Sequence, residues 1–113
     1  MSFLRRRLRI QAGRIGDAAQ AAAKLCELGS ATAAQLYNAA CVYSLAAAAV
    51  AKGKPQLSAD DQAVRDGYAD AAVAVLGRAV AAGYNDLAHM KSDSDLDAIR
   101  SHAGYKAFVE SKE

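Results

Sequence analysis

The chain has 113 residues, enough for one domain with a modest core but too few for a large enclosed active site. Its formal net charge of +2 selects no class of partner, because acidic and basic residues nearly balance. Alanine dominates the apolar residues and there is a single proline, a composition that favours helix. We therefore expect one all-α domain over residues 1–113.

The sequence shows neither an export signal nor a membrane span. No apolar segment follows the N-terminal arginines, as a secretory signal would require. The most apolar stretch, residues 36–51, is shorter than the roughly 20 strongly apolar residues that cross a bilayer. Cys26 and Cys41 fall within helical patterns, where free thiols in a reducing compartment are expected. These features favour a cytoplasmic protein without membrane contact.

Residues 1–29 predict two short helices, the first ending at Gly13 and the second beginning at Asp17, with Leu28 facing inward. A run of arginines near the start could form a basic patch that contacts nucleic acid or an anionic membrane. The arginines of this run are Arg5, Arg6, Arg7 and Arg9. A solvated helix face is the commoner explanation of such a run, and few aromatic residues lie beside it to stack on bases. Nucleic acid and membrane are therefore disfavoured as partners.

The central helix is expected to continue to about Lys52, and its residues 36–51 are apolar on nearly every side. A helix of that kind is buried on more than one side, so the other elements should cover it. Ser30 or Thr32 is its expected N-cap. The segment Gly53-Lys54-Pro55 is expected to end it, because proline cannot continue the helical hydrogen-bond ladder.

The following helix has the most regular amphipathic pattern in the chain. Ser58 is its expected N-cap, aspartates in its first turn complement the helix dipole, and Gly83 ends it. Its predicted buried stripe consists of Val64, Tyr68, Ala72, Val75, Leu76, Ala79 and Val80. Residues 30–83 are therefore expected to form a long antiparallel helical hairpin.

Residues 84–113 predict short helices that cover the end of the hairpin. Ser92 or Asp93 is the expected N-cap of one of them, with Leu96 and Ile99 facing inward. Large side chains are scarce elsewhere in this alanine-rich chain, so those that occur should anchor the core rather than contact a ligand. These anchors are Tyr68, Tyr84, Tyr105 and Phe108.

Two patterns carry a resemblance to the tetratricopeptide repeat. Its first helix has a large residue, then Leu-Gly, then Tyr. The matching positions here are Leu36, Ala39, Ala40 and Tyr43. The pattern of its second helix is matched by Ala72, Leu76 and Ala79. The resemblance implies a helical solenoid fragment with residues 1–29 as a degenerate first hairpin. The second hairpin is lengthened relative to the ordinary repeat of about 34 residues.

More specifically, residues 12–110 resemble the C-terminal tetratricopeptide region of large bacterial serine/threonine protein kinases. The resemblance lies in the helix YNAACVYSLA, the lengthened hairpin and the tail AVAAGYNDLAHMKSDSDLDAIRSHAGYKAFVE. The chain has no glycine-rich phosphate loop, catalytic Asp loop or metal-binding Asp motif of a kinase. The resemblance therefore implies an accessory adaptor or scaffold module of a signalling protein, not an enzyme. Its partner would be a protein or peptide, with self-association as the alternative.

In tetratricopeptide repeats the position of Asn38 points into a concave groove, where an amide can bind a peptide backbone or a terminal carboxylate. The resemblance thus implies a peptide-binding groove on one face of the central helix. The residues of this groove would be Tyr37, Asn38, Cys41, Ser44 and Leu45. The alternative is that Asn38 bonds a neighbouring backbone group, as a buried amide must.

Asp93, Asp95 and Asp97 have the first three ligand spacings of a calcium loop, but the later positions of that pattern are missing. Helix capping by Asp93 explains this cluster. The cysteines and histidines show no paired ligand spacing of a zinc site and no nucleophile–base arrangement. These residues are Cys26, Cys41, His89 and His102. We therefore expect no catalytic, metal or cofactor site.

Overall fold

A computed structural model describes residues 17–112, with side chains through residue 111, and this part of the chain is helical and contains no strand. The expected all-α class is confirmed. Helix α1 covers residues 17–27. The later elements are α2 (Ala33–Ala51), α3 (Ala59–Ala81), α4 (Leu87–Ser92), a 3₁₀ helix (Ser94–Ile99) and α5 (Ala103–Lys112). The predicted first helix, which ends at Gly13, and the arginine run lie outside the described residues.

The start of α2 is set by a capping box between Thr32 and Gln35. The Thr32 hydroxyl accepts the backbone N–H of Gln35 at 3.1 Å, and the Gln35 side chain accepts the N–H of Thr32 at 2.9 Å. Two N–H groups that the helix leaves unpaired are thereby satisfied. Of the two expected N-caps, the structure selects Thr32.

Helix α3 begins at the expected cap and ends in a full Schellman motif. The Ser58 hydroxyl accepts the N–H of Asp61 at 3.0 Å. At the other end Gly83 has φ +117°, and the N–H of Tyr84 donates to the Ala79 carbonyl at 3.0 Å. This left-handed turn satisfies the last carbonyls of the helix and sends the chain back towards α2.

Helices α2 and α3 form an antiparallel hairpin and make the most extensive contact between any two described elements. The buried positions of both helices are largely alanine, which lets the two backbones approach closely. The fully buried alanines are Ala40, Ala46, Ala72 and Ala79. Leu76 is the largest fully buried side chain of the hairpin, at 1% exposed. Four residues of the predicted inner stripe of α3 are buried, namely Ala72, Val75, Leu76 and Ala79, and Tyr68 and Val80 are half-buried.

Two predicted inward positions are exposed instead. Leu28 is 56% exposed, because α1 has already ended when the chain reaches it and the side chain leaves the helical face. Val64 is 51% exposed, since the buried residues of α3 begin one turn later, at Ala69.

The tail, residues 84–112, packs on the hairpin through a few large apolar side chains. Met90, Leu96 and Ile99 are at most 1% exposed, and Tyr105 is 5% exposed. Arg100 ties the tail together, since its guanidinium donates to the Tyr105 hydroxyl at 3.0 Å and to the Asp97 carboxylate at 2.8 Å. Helix α1 covers a different side of the hairpin, where Arg78 donates to the Cys26 carbonyl at 2.9 Å.

Candidate functional site

The densest group of polar side chains lies where the tail crosses α2, around the carboxylate of Asp93. The Tyr37 hydroxyl donates to Asp93 Oδ2 at 2.7 Å, and the Cys41 thiol lies 3.8 Å from the same oxygen. His89 Nε2 lies 3.3 Å from it. The Asp93 side chain is only 13% exposed, so these contacts are largely shielded from water. We call these residues, together with Asp95, the Asp93 cluster.

Local backbone structure places Asp93 in this position. Its Oδ1 accepts the N–H of Asp95 at 3.0 Å, which caps the 3₁₀ helix and leaves Oδ2 facing α2. The guanidinium of Arg100 donates to the Asp93 carbonyl at 2.6 Å. Hydrogen bonds therefore fix both the side chain and the main chain of Asp93.

The Schellman turn at the end of α3 supplies the aromatic wall of the cluster. It carries Tyr84 onto Tyr37, whose ring is parallel to it within 4° at a centroid distance of 4.3 Å. The His89 ring lies 5.8 Å from the Tyr37 ring. Tyr37 is thus enclosed by apolar ring surface while its hydroxyl reaches a charged group.

Burial and charge shift the ionisation of this cluster. Burial, then the charges of Asp93 and Asp95, raises the pKa of the Cys41 thiol to about 12. Burial and the hydrogen bond to Asp93 raise the pKa of Tyr37 far above its usual range. The Tyr37 hydrogen bond, against the opposing effect of burial, lowers the pKa of Asp93. At neutral pH the cluster thus holds an ionised carboxylate beside a protonated thiol, which is a poor nucleophile.

The structure divides the five residues of the predicted groove. Tyr37, Cys41 and Ser44 are buried, and Tyr37 and Cys41 contact Asp93 of the tail. Asn38 and Leu45 are exposed, and they flank the buried Cys41 at helical spacings of three and four residues. The tail covers Tyr37 and Cys41, because its 3₁₀ helix packs on α2. Peptide binding at any of the five stays a prediction.

Asn38 and Leu45 belong to a row of exposed residues along α2 that is interrupted at the buried Cys41. We call it the uncharged face, and its residues are Ala34, Asn38, Leu45 and Ala48. None of the 19 residues of α2 is charged, and Leu45 is 45% exposed. A solvent-facing helix side ordinarily carries charged residues.

A shallow apolar depression lies between the end of α3 and the tail, with a cavity volume of about 330 Å³. Its lining residues are Val80, Gly83, Tyr84, Asn85, Leu87, Met90 and Phe108. This volume is at the low end of pockets that hold small molecules.

The sequence predicts a capping role for Asp93, which the structure contains, but it does not predict the contacts of Asp93 with α2. Cys41 and Asp93 are 52 residues apart in the chain, so no local spacing could have paired them. His102, by contrast, lies far from this cluster along the tail and contacts Asp70 of α3 at 2.6 Å. Because His102 Nδ1 accepts the N–H of Gly104, its Nε2 carries the proton that is donated to Asp70.

Comparison with protein-family models, with curated proteins and with solved structures finds no match. The resemblance to tetratricopeptide repeats therefore stays a prediction. Among the described residues, α2 alone has the length and apolar composition that a membrane span would need. Buried core helices meet the same criteria, and α2 is buried against α3 and the 3₁₀ helix.

Proposed function

We propose that this chain is a protein-interaction module that binds a partner through the uncharged face of α2. The observation that carries the proposal is the lack of any charged residue in Ala33–Ala51, although one side of the helix is exposed. An uncharged solvent-facing surface on a helix is typical of a protein–protein contact. No catalytic role is proposed, because the one buried thiol in the cluster is protonated at neutral pH.

The shape of this face favours a helical segment of the partner. Ala34 and Ala48 leave the backbone of α2 accessible, so a second helix can approach it closely. Leu45 would insert between side chains of that helix as the main apolar contact. The Asn38 amide can donate and accept a hydrogen bond at the same time, which would fix the orientation of the partner.

The finer proposal is a tetratricopeptide-like module that serves as an accessory region of a bacterial signalling protein. Its support is the resemblance of residues 12–110 together with the succession of helices joined by the short connections 28–32 and 52–58. In this proposal the tail acts as the terminal cap of the repeat. The alternative partner is a second copy of this chain, bound through the same exposed face.

The test places a photo-reactive amino acid at position 45 and, as the matched control, at position 64. Leu45 and Val64 are similarly exposed apolar residues, at 45% and 51%, on different helices. We expect a crosslinked partner from position 45 only, in native lysate or with the purified chain. Light scattering and the mass of the adduct then separate a foreign partner from a second copy.

The crosslinked partner is then purified and its affinity measured. Leu45→Glu should weaken binding by about tenfold or more, because it places a charge in an apolar contact. Val64→Glu should leave the affinity unchanged. Equal crosslinking from both positions, or an affinity that Leu45→Glu does not alter, would contradict the proposal.

A further inference from the structure

The Asp93 cluster brings together the side-chain types that bind a transition-metal ion. Cys41 offers a thiol from α2, His89 an imidazole from α4, and Asp93 and Asp95 carboxylates from the start of the 3₁₀ helix. Thiolate and imidazole ligands favour zinc, and carboxylates complete many zinc sites. The donor set combines one soft ligand with three borderline or hard ones, so it differs from an acidic calcium loop.

Two of the separations between these atoms match the ligand–ligand distances of a tetrahedral metal site. With metal–ligand bonds of about 2.0 Å to N or O and 2.3 Å to S, neighbouring ligand atoms lie roughly 3.3–3.8 Å apart. His89 Nε2 and Asp93 Oδ2 are 3.3 Å apart, and Cys41 Sγ and that oxygen are 3.8 Å apart. Ligand atoms of Cys41, Asp93 and Asp95 all lie within 4.8 Å of one another. His89 Nε2 lies outside this group of three, and its 55% exposed side chain would turn towards Cys41 and Asp95 on metal binding.

The groups that would surround a bound metal are also in place. Ligating carboxylates are themselves hydrogen-bonded in metal sites, and Tyr37 donates to Asp93 at 2.7 Å. The oxygen that accepts this bond keeps a second lone pair for a cation. Arg100 holds the main chain of the same residue from the other side.

An unpaired hydroxyl lies beside the cluster. Ser44 is fully buried, and its Oγ has no hydrogen-bond partner among the described residues. It follows Cys41 by three positions, so the two side chains are neighbours on the same face of α2. Buried polar atoms are rarely left unpaired, so the Ser44 hydroxyl indicates a polar group in this region other than the described side chains.

From this geometry we infer that Cys41, His89, Asp93 and Asp95 bind one Zn²⁺ ion between α2 and the tail. All four ligands come from the protein, which is typical of a structural rather than a catalytic zinc site. On binding, the Cys41 S–H bond breaks, the S–Zn bond forms, and one proton passes to the solvent. The two carboxylates that oppose thiolate formation are neutralised by the cation, so the cost of that deprotonation falls.

The first test titrates Co²⁺, a spectroscopic substitute for zinc, into the full chain after treatment with a chelator and desalting. We expect one equivalent to produce a thiolate-to-cobalt charge-transfer band, and Zn²⁺ to remove it by displacement. Cys41→Ser should abolish the band. Cys26→Ser is the matched control, because it removes the other thiol and should leave the band intact.

The remaining ligands are tested by affinity. His89→Ala and Asp95→Asn should each weaken Zn²⁺ binding at least about tenfold, whereas His102→Ala should not, since His102 is bonded to Asp70 instead. Tyr37→Phe keeps all four ligands and should weaken binding by roughly 10- to 100-fold through loss of the bond to Asp93.

A proton count gives an independent readout. In weak buffer, Zn²⁺ binding should release one proton from the wild type, which is the proton of the Cys41 thiol. It should release none from Cys41→Ser. Circular dichroism confirms that each variant is folded, and if Cys41→Ser is not folded, the loss of Zn²⁺ affinity in Asp95→Asn decides instead. The inference is overturned if the wild type gives no charge-transfer band, or if the band survives Cys41→Ser and disappears in Cys26→Ser.

Discussion

The hydroxyl of Tyr37 donates a 2.7 Å hydrogen bond to Asp93, and this bond joins the central helix to the tail across 56 residues of sequence. The same tyrosine stacks on Tyr84 at 4.3 Å, so one side chain makes both a polar and an aromatic contact with the tail. The burial of Leu96 and Ile99 stabilises the packing of the tail on the hairpin, but the hydrophobic effect is not directional. The bond to Asp93 adds a directional contact that specifies where on α2 the tail lies.

Tyr37→Phe should destabilise the fold by about 1.5–3 kcal/mol, because it removes a hydrogen bond to a charged group and leaves the aromatic stack. Urea denaturation in the presence of EDTA measures this free energy of unfolding without any contribution from metal. Tyr68→Phe is the control. The ring of Tyr68 makes a tilted contact with that of Tyr43, and Tyr68 does not belong to the Asp93 cluster. Equal stability of the wild type and Tyr37→Phe would show that the bond to Asp93 contributes nothing.

Asp93 should make the fold sensitive to acid. Its pKa is lowered in the folded state by the Tyr37 hydrogen bond, so the unfolded chain binds a proton more readily. The stabilisation is therefore complete above the unfolded pKa of about 3.9 and is lost as the pH falls through the lower folded value. Melting temperatures from pH 7 down to pH 2, with EDTA present, should fall less steeply for Asp93→Asn than for the wild type. Asp97→Asn, whose side chain is 67% exposed, should retain the wild-type slope.

Much of the fold could be predicted because its determinants are local in sequence. The Thr32 and Ser58 caps and the glycine end of α3 each depend on residues within one turn of one another. The helical periodicity of α3 identified Ala72 and Leu76 as buried. It misplaced Val64, because periodicity shows which side of a helix is apolar but not how far along the helix its neighbours extend.

The candidate site could not be predicted in the same way. Its residues come from α2 and from the tail, and their proximity depends on how the 3₁₀ helix packs on α2. Asp93 was identified only as a helix cap, which accounts for one of its two carboxylate oxygens. The other oxygen contacts Tyr37 and Cys41, more than 50 residues earlier, where no spacing rule applies.

The two cysteines should differ strongly in reactivity. Cys41 is 7% exposed and its pKa is raised to about 12, so its thiolate fraction at pH 8 is on the order of 10⁻⁴. Cys26 is only partly buried. With EDTA present, iodoacetamide should alkylate Cys26 at least about 100-fold faster than Cys41, as followed by peptide mass spectrometry. In urea the two rates should become similar; faster alkylation of Cys41 in the folded protein would contradict its placement.

The tail should contribute measurably to the stability of the whole domain. Leu96 is fully buried, so Leu96→Ala should cost about 2–5 kcal/mol through lost burial and the cavity left behind. Leu28→Ala removes the same atoms from a side chain that is 56% exposed and should be nearly neutral. Denaturation midpoints of the two variants provide the comparison. A midpoint for Leu96→Ala that matches that of Leu28→Ala would mean that the tail does not pack on the hairpin.

The sharpest test of the turn that positions Tyr84 uses one substitution at two glycines of the same segment. Gly83 has φ +117°, a conformation that alanine adopts only with strain, so Gly83→Ala should destabilise the fold by roughly 1–3 kcal/mol. Gly67 lies within α3, and an added Cβ there would meet nothing within 4 Å. Gly67→Ala should therefore stabilise the protein by about 0.5–1 kcal/mol through its higher helix propensity.

The opposite signs separate the backbone effect from the added methyl group, because a Cβ at Gly83 would also meet nothing within 4 Å. Gly83→Ala should in addition disturb the stack of Tyr84 on Tyr37, which near-ultraviolet circular dichroism of the tyrosines detects. Gly67→Ala should leave that spectrum unchanged. If both substitutions stabilised the protein, the left-handed turn would not be what carries the chain from α3 back onto α2.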